Sequence, residues 1–111
     1  MKKRYAMVGV GGRARMYYEA LATTYADAAD LVGLCDVNVT RMNYANQVIQ
    51  EISGRAPIPQ YGMADFDRMI TEQRPDIVIV TSIDRTHHHY IVRSMELGCD
   101  AVLLASAVSR A

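Results

Sequence analysis

The stretch MVGVGGRARMYYEAL, residues 7–21, carries an apolar segment into helically spaced residues through Gly9, Gly11 and Gly12. Glycine has more backbone entropy to lose on folding than any other residue, so three of them at one junction need a reason. One reason is a backbone that must bend. The other is a ligand that must come close to the main chain. Gly9-Val10-Gly11-Gly12-Arg13-Ala14 fits G-x-G-x-x-G/A. In that pattern the first glycine makes the turn, the second admits a pyrophosphate, and the third small residue lets helix and strand pack closely. Free N–H groups and the dipole at the helix start then attract the phosphates.

Strand and helix patterns alternate outward from this turn. Tyr5 to Val10 reads as a buried strand. Ala14, Tyr17, Tyr18, Leu21 and Tyr25 fall at helical spacing. Leu31 to Cys35 is a second strand, and Met42, Ala45, Val48, Ile49 and Ile52 define a second helix that Gly54 ends. Ala56 to Gly62, with two prolines around Ile58, reads as a loop and a very short strand. Phe66, Met69 and Ile70 mark a third helix, with Asp65 as its cap and Pro75 as its stop. Asp76 to Thr81 contains IVIV, apolar on both faces as a central parallel strand should be. Ile91, Val92 and Met95 predict a fourth helix, stopped at Gly98, and Ala101 to Leu104 a last strand.

This alternation predicts an α/β fold with a doubly wound parallel sheet and helices on both faces. Right-handed crossovers favour the Rossmann order 3-2-1-4-5, ahead of the flavodoxin-like 2-1-3-4-5. In the first order the second and fifth strands stand roughly 14 Å apart. Cys35 and Cys99 are then too distant for a disulfide, which needs α-carbons within about 7 Å. Both are expected to be ordinary buried thiols.

Asp36 closes the second strand, about twenty residues beyond the glycine turn, where a carboxylate accepts the ribose hydroxyls of a dinucleotide. A turn or helix-cap role before Asn38-Val39-Thr40 is the structural alternative. A carboxylate here repels a 2′-phosphate, so NAD is the expected cofactor. Arg41, at the start of the second helix, keeps NADP open because it can stack on adenine or pair with a phosphate.

The 111 residues carry 12 basic and 12 acidic side chains, so no electrostatic footprint for nucleic acid or a membrane surface is present. Lys2-Lys3-Arg4 leads directly into a strand, and the apolar run after it is broken by glycines and arginines, unlike a signal peptide. The cytoplasm is the expected compartment. Three adjacent histidines, His87 to His89, suggest a metal, but neighbours on a helix point about 100° apart and zinc-binding helices use i and i+4. Position 91 is isoleucine, so no metal site is expected.

Over residues 3 to about 102 the sequence resembles the N-terminal NAD(P)-binding domain of the Gfo/Idh/MocA oxidoreductases. The likeness rests on VGVGGRARMYYEAL, VGLCDVNVTR, PDIVIVTSIDRTHHHYI and LGCD. It implies a pyrophosphate turn at Gly9, Gly11, Gly12, Arg13 and Ala14, a ribose-binding acid at Asp36, and an adenine-side arginine at Arg41. Thr81, Ser82 and Asp84 fall on the family's T-[TP]-x-[ND] segment on the nicotinamide side, and His87 on the histidine that follows it. Many members have proline where Ser82 stands and asparagine where Asp84 stands.

The likeness stops after Asp100. The family continues with Glu-Lys-Pro, where this chain has Leu104, Ala105 and Ser106. The expected division is a Rossmann domain at 1–104 and an unrelated tail at 105–111, without the family's C-terminal α/β domain. No catalytic residue is expected on the chain. The resemblance implies the cofactor domain of an enzyme that moves hydride between nicotinamide and a sugar, cyclitol or related alcohol. Taken alone, such a truncated domain is expected to bind cofactor without turnover. One alternative is a domain of an NAD-dependent glycosidase, since a branch of the family hydrolyses glycosides through transient oxidation. Another is a non-catalytic nucleotide-binding or dimerisation module, with AVLLASAV at a bare fifth-strand edge pairing with a second copy. A receiver-like domain would have paired acids after the first strand, where this chain has glycines.

Overall fold

The computed structural model describes residues 2–81, 87–99 and 101–104. Five strands form one parallel sheet: β1 (Lys3–Val8), β2 (Ala29–Cys35), β3 (Gln60–Tyr61), β4 (Ile77–Val80) and β5 (Ala101–Leu104). Their order is β3-β2-β1-β4-β5, as the alternation predicts. Helices α1 (Arg15–Ala22), α2 (Val39–Ser53), α3 (Phe66–Gln73) and α4 (His87–Glu96) connect them.

Two apolar clusters fill the two faces of the sheet. Tyr18 and Leu21 of α1 and Met42, Ala45 and Ile49 of α2 pack with Met7, Leu31 and Ile79. Phe66, Met69 and Ile70 of α3 and Tyr90 of α4 pack with Ala6, Val8, Val78 and Val80. Consecutive strand residues therefore serve opposite faces, and IVIV is apolar throughout because both faces are covered. The β1–β2 register slips by one residue between Tyr5 and Ala6. The slip sets Gly33 opposite Ala6, in a place where a Cβ would lie 2.9 Å from the Met69 Sδ.

Element ends depart from the sequence reading. β1 begins at Lys3 and stops at Val8, leaving the Gly9-Val10 peptide outside the strand. α1 ends at Ala22, where the Thr23 hydroxyl donates to the Glu19 carbonyl. The chain then folds back, and Tyr25 is 57% exposed despite its helical spacing. Asp65 occupies the cap position of α3, but its side chain makes no cap bond and pairs with Arg68 at 3.5 Å instead. Gly54 ends α2 as expected, at φ 73° with its N–H bonded to Gln50.

The short β3 is held from outside the sheet. The Asn46 carboxamide of α2 accepts from Ile58 N–H at 2.7 Å and donates to the Ile58 carbonyl at 3.0 Å. The proline-flanked loop is thereby fixed, and Leu34 and Asp36 donate their N–H groups to Pro59 and Tyr61. Cys35 and Cys99 are buried and form no disulfide. Burial, helped by the Asp36 and Asp65 carboxylates, pushes the Cys35 thiol up to about 12. Among the described residues no helix is long and apolar enough to cross a membrane.

Candidate functional site

The carboxyl ends of β1 and β2 meet at the glycine turn. Gly9 donates its N–H to the Cys35 carbonyl at 2.8 Å, continuing the sheet by one bond. Its φ is 87°, in the left-handed region that glycine tolerates and side-chain-bearing residues avoid. Gly9 thus serves the bend. Gly11 has φ −76°, an ordinary value for any residue. A Cβ built there meets only the Arg41 guanidinium, at 3.8 Å, and one on Gly12 meets nothing within 4 Å. Among the described residues, neither the backbone nor the packing of this chain demands glycine at these two places. Ala14 is fully buried and packs into the core, the close-contact role of the third small position.

A short 3-10 turn, Gly12–Ala14, leads into α1, and the Ala14 N–H closes it onto the Gly11 carbonyl at 3.0 Å. The leading N–H groups of such a helical start have no acceptor inside it. Beside them lies a hollow of about 420 Å³, lined by Val10, Gly11, Gly12, Arg15, Arg41 and Tyr44, with Tyr18 and Thr40 completing it. A diphosphate fits this arrangement, because a cradle that a Cβ would fill has been left clear beside amides that have no acceptor inside the helical start.

Asp36 sits at the tip of β2, where the sequence reading puts it, but its carboxylate faces the protein. One oxygen accepts the Val10 N–H at 2.8 Å and the other the Asn38 N–H at 2.9 Å. The residue is 4% exposed. It fixes the glycine turn to the β2–α2 loop. The helix cap itself is Asn38, whose side chain accepts from the Arg41 N–H at 3.2 Å. Arg41 lies over the pair, Nη1 3.9 Å from Asp36 Oδ1, with its side chain 55% exposed. These two bonds use two of the roughly four lone pairs of the carboxylate.

Thr81 closes the opposite side. Its N–H donates to the Val8 carbonyl at 2.8 Å and its hydroxyl donates to the Gly9 carbonyl, so the end of β4 is tied to the turn. His87 is the first residue of α4. The side chains of Arg13 and His87, and all of Ser82 and Asp84, lie outside the described residues.

The sequence reading passes over Arg15 and Tyr44. Arg15 Nη1 donates to the Tyr44 hydroxyl at 2.7 Å, joining α1 to α2 across the hollow. Glu19 holds the Nε of the same arginine. The two residues are far apart in the chain, and only the lateral packing of the helices brings them together.

A parallel 3-2-1-4-5 sheet, with an open glycine turn after β1 and an acid at the tip of β2, defines a dinucleotide-binding domain of the Rossmann class. Residues 3–105 match the family described as "Oxidoreductase family, NAD-binding Rossmann fold", that is, Gfo/Idh/MocA. The chain belongs to this family and carries its NAD-binding Rossmann fold.

It is 34% identical over 101 residues to glycosyl hydrolase family 109 protein 1 of Akkermansia muciniphila, covering 90% of this chain and 21% of that protein. It is 30% identical over 101 residues to the putative oxidoreductase YteT of Bacillus subtilis, covering 90% of this chain and 23% of that protein. Among solved structures, the WlbA dehydrogenase of Chromobacterium violaceum, in complex with NADH and UDP-GlcNAcA, superposes with a TM-score of 0.64 at 30% identity, over 88% of this chain and 26% of that one. The scyllo-inositol dehydrogenase of Lactobacillus casei, with NAD(H) and scyllo-inositol bound, has a TM-score of 0.73 at 19% identity, over 91% of this chain and 27% of that one, a likeness of fold. The chain spans about a quarter or less of the length of these relatives.

Proposed function

We propose that the chain binds NAD(H) with the diphosphate on the amides around Gly11 and Gly12, and that it is the cofactor domain of an oxidoreductase acting on a sugar, cyclitol or related alcohol. The bound nicotinamide would accept or return the hydride. Asp36 and Arg41 stand at the adenosine end. Thr81, Ser82, Asp84 and His87 belong to the nicotinamide end in this reading, with Arg13 and Ala14 completing the turn. The substrate and the acid–base group are not assigned to any residue of this chain, so turnover by the chain alone is not expected.

One observation carries the reading. Gly11 and Gly12 have no conformational or packing need to be glycine, yet they border an open hollow at a helix start. Gly11→Ala tests it. The substitution meets only ordinary contact with Arg41 and should raise the urea midpoint slightly, because alanine stiffens the unfolded chain. Its methyl group enters the space of the diphosphate, so NADH affinity, read by fluorescence titration, should fall by about tenfold or more. Wild-type affinity in this variant, or a folded wild-type chain that ignores millimolar NADH, overturns the assignment.

The 34% identity to a family 109 glycosyl hydrolase supports a second reading, in which hydride leaves and returns within one glycoside hydrolysis. The whole protein would then cleave a glycoside without accumulating NADH.

A further inference from the structure

We infer that a second copy of this chain docks on an apolar hollow between α1 and β4. The crossovers into β2 and β3 put α1 and α2 on one face of the sheet, and those into β4 and β5 put α3 and α4 on the other. Among the described residues, β4 and β5 therefore have no helix of their own on the α1 face. The gap is a hollow of about 260 Å³, lined by Tyr5, Tyr17, Leu21, Tyr25 and Ile79, with alanines between them. It shares no lining residue with the hollow beside Gly11.

Three tyrosines meet here on an apolar floor. Tyr5 and Tyr17 are partly buried against the core, and Tyr25 is 57% exposed. None of their hydroxyls bonds a described residue. Large, stiff side chains with a polar tip are what protein interfaces favour at their centres. The early end of α1 accounts for Tyr25, because the chain turns back after Ala22 and leaves the ring at the edge of the hollow.

The occupant follows from size and charge. Small-molecule sites run to roughly 300–1,000 Å³, and this hollow is smaller. With 12 basic and 12 acidic residues the chain has no net field for a membrane or nucleic acid, and two copies do not repel. The rim itself carries both signs. Lys3 stands on the Tyr5 face of β1, and its N–H donates to the Ala28 carbonyl at 3.0 Å, which sets it beside Asp27 in the chain before β2. Both residues are exposed, and neither forms an ion pair with a described residue. A two-fold axis through such a patch brings Lys3 of one copy to Asp27 of the other, and Tyr25 of each copy to the other's hollow. A rim of one sign would oppose that arrangement.

Sedimentation equilibrium of the 111-residue chain, from about 10 µM to about 1 mM, tests the proposal. The expected result is a monomer–dimer equilibrium with a dissociation constant on the order of 100 µM, as a small transient interface gives. Tyr25→Glu should weaken it about tenfold or more. Lys3→Glu and Asp27→Lys should each weaken it about threefold to tenfold, and the double exchange should restore it. All three positions are exposed, so the variants should fold, and circular dichroism on the same samples checks this. A chain that stays monomeric at about 1 mM overturns the inference and assigns the face to another occupant. A dimer unmoved by Tyr25→Glu also overturns it, since the contact then lies elsewhere, the fifth-strand edge included. A double exchange that fails to restore the dimer overturns the two-fold arrangement, and the inference with it.

Discussion

Replacing Asp36 by asparagine should weaken the fold before it weakens anything else. The carboxylate holds two donors, Val10 N–H at 2.8 Å and Asn38 N–H at 2.9 Å, one on each oxygen. A carboxamide of the same shape has one oxygen and one NH2 group. Whichever way it turns, a donor faces a donor. The orphaned N–H lies beside a residue that is 4% exposed, and an unpaired buried N–H costs about 1–3 kcal/mol. The surviving bond loses its charge assistance, about 1 kcal/mol more. Arg41 contributes little to the sum, because its side chain is 55% exposed and the contact is 3.9 Å long. The expected loss is about 2–4 kcal/mol, against a total stability of about 5–15 kcal/mol. In urea, followed by far-ultraviolet circular dichroism, the midpoint should drop by roughly 1–2 M. Val10 and the glycine turn should loosen with it, so NADH affinity falls in the same variant. A stability loss below about 0.5 kcal/mol together with lost NADH binding would refute the reasoning, since the carboxylate would then serve the ligand and not the amides.

Two further substitutions probe the scaffold. Arg74 closes α3 in the left-handed region, at φ 48° and ψ 57°, where a side chain costs about 1 kcal/mol. Arg74→Gly should therefore stabilise the chain by about 0.5 kcal/mol once the looser unfolded state is allowed for, raising the thermal midpoint by a few degrees; a lowered midpoint contradicts the account. Burial raises the Cys35 thiol to about 12, so in alkali the unfolded chain ionises first and stability falls as pH rises from the ordinary thiol range toward that value. Urea midpoints at about pH 8 and about pH 10.5 should converge in Cys35→Ala relative to wild type, and an unchanged difference would show that other groups carry the alkaline sensitivity.

The strand order was legible because its signals are local. The IVIV run, the glycine stops at Gly54 and Gly98, and the βα alternation each depend on a few neighbouring residues. What was illegible depends on packing. Tyr25 continues the spacing of Tyr18 and Leu21, but α1 ends at Ala22 and the chain turns back, its Tyr25 N–H donating to the Ala20 carbonyl. Asp65 has the composition of a cap, yet Arg68 one turn on offers its carboxylate a partner. The Arg15–Tyr44 link joins side chains 29 residues apart, and no period in the sequence connects them. It exists because α1 and α2 lie side by side on one face of the sheet, with Tyr18 and Met42 in the same cluster.

The glycine turn shows the same division within six residues. Read as a string, Gly9, Gly11 and Gly12 form one motif, and glycine is equally consistent with a bend or a ligand. Backbone geometry separates them. Gly9, at φ 87°, is required by the bend in any chain that leaves β1 this way, whether or not a cofactor binds. Gly11, at φ −76°, carries no such requirement, and the space above it is open except for a half-exposed arginine. A site that only needed to turn would let alanine replace Gly11 and gain from the stiffer unfolded chain. Keeping glycine there forgoes that gain, and close approach of a ligand to the main chain is what gives the sacrifice a physical reason. In the proposed reading the functional weight of the motif rests on its second glycine, while the first belongs to the fold.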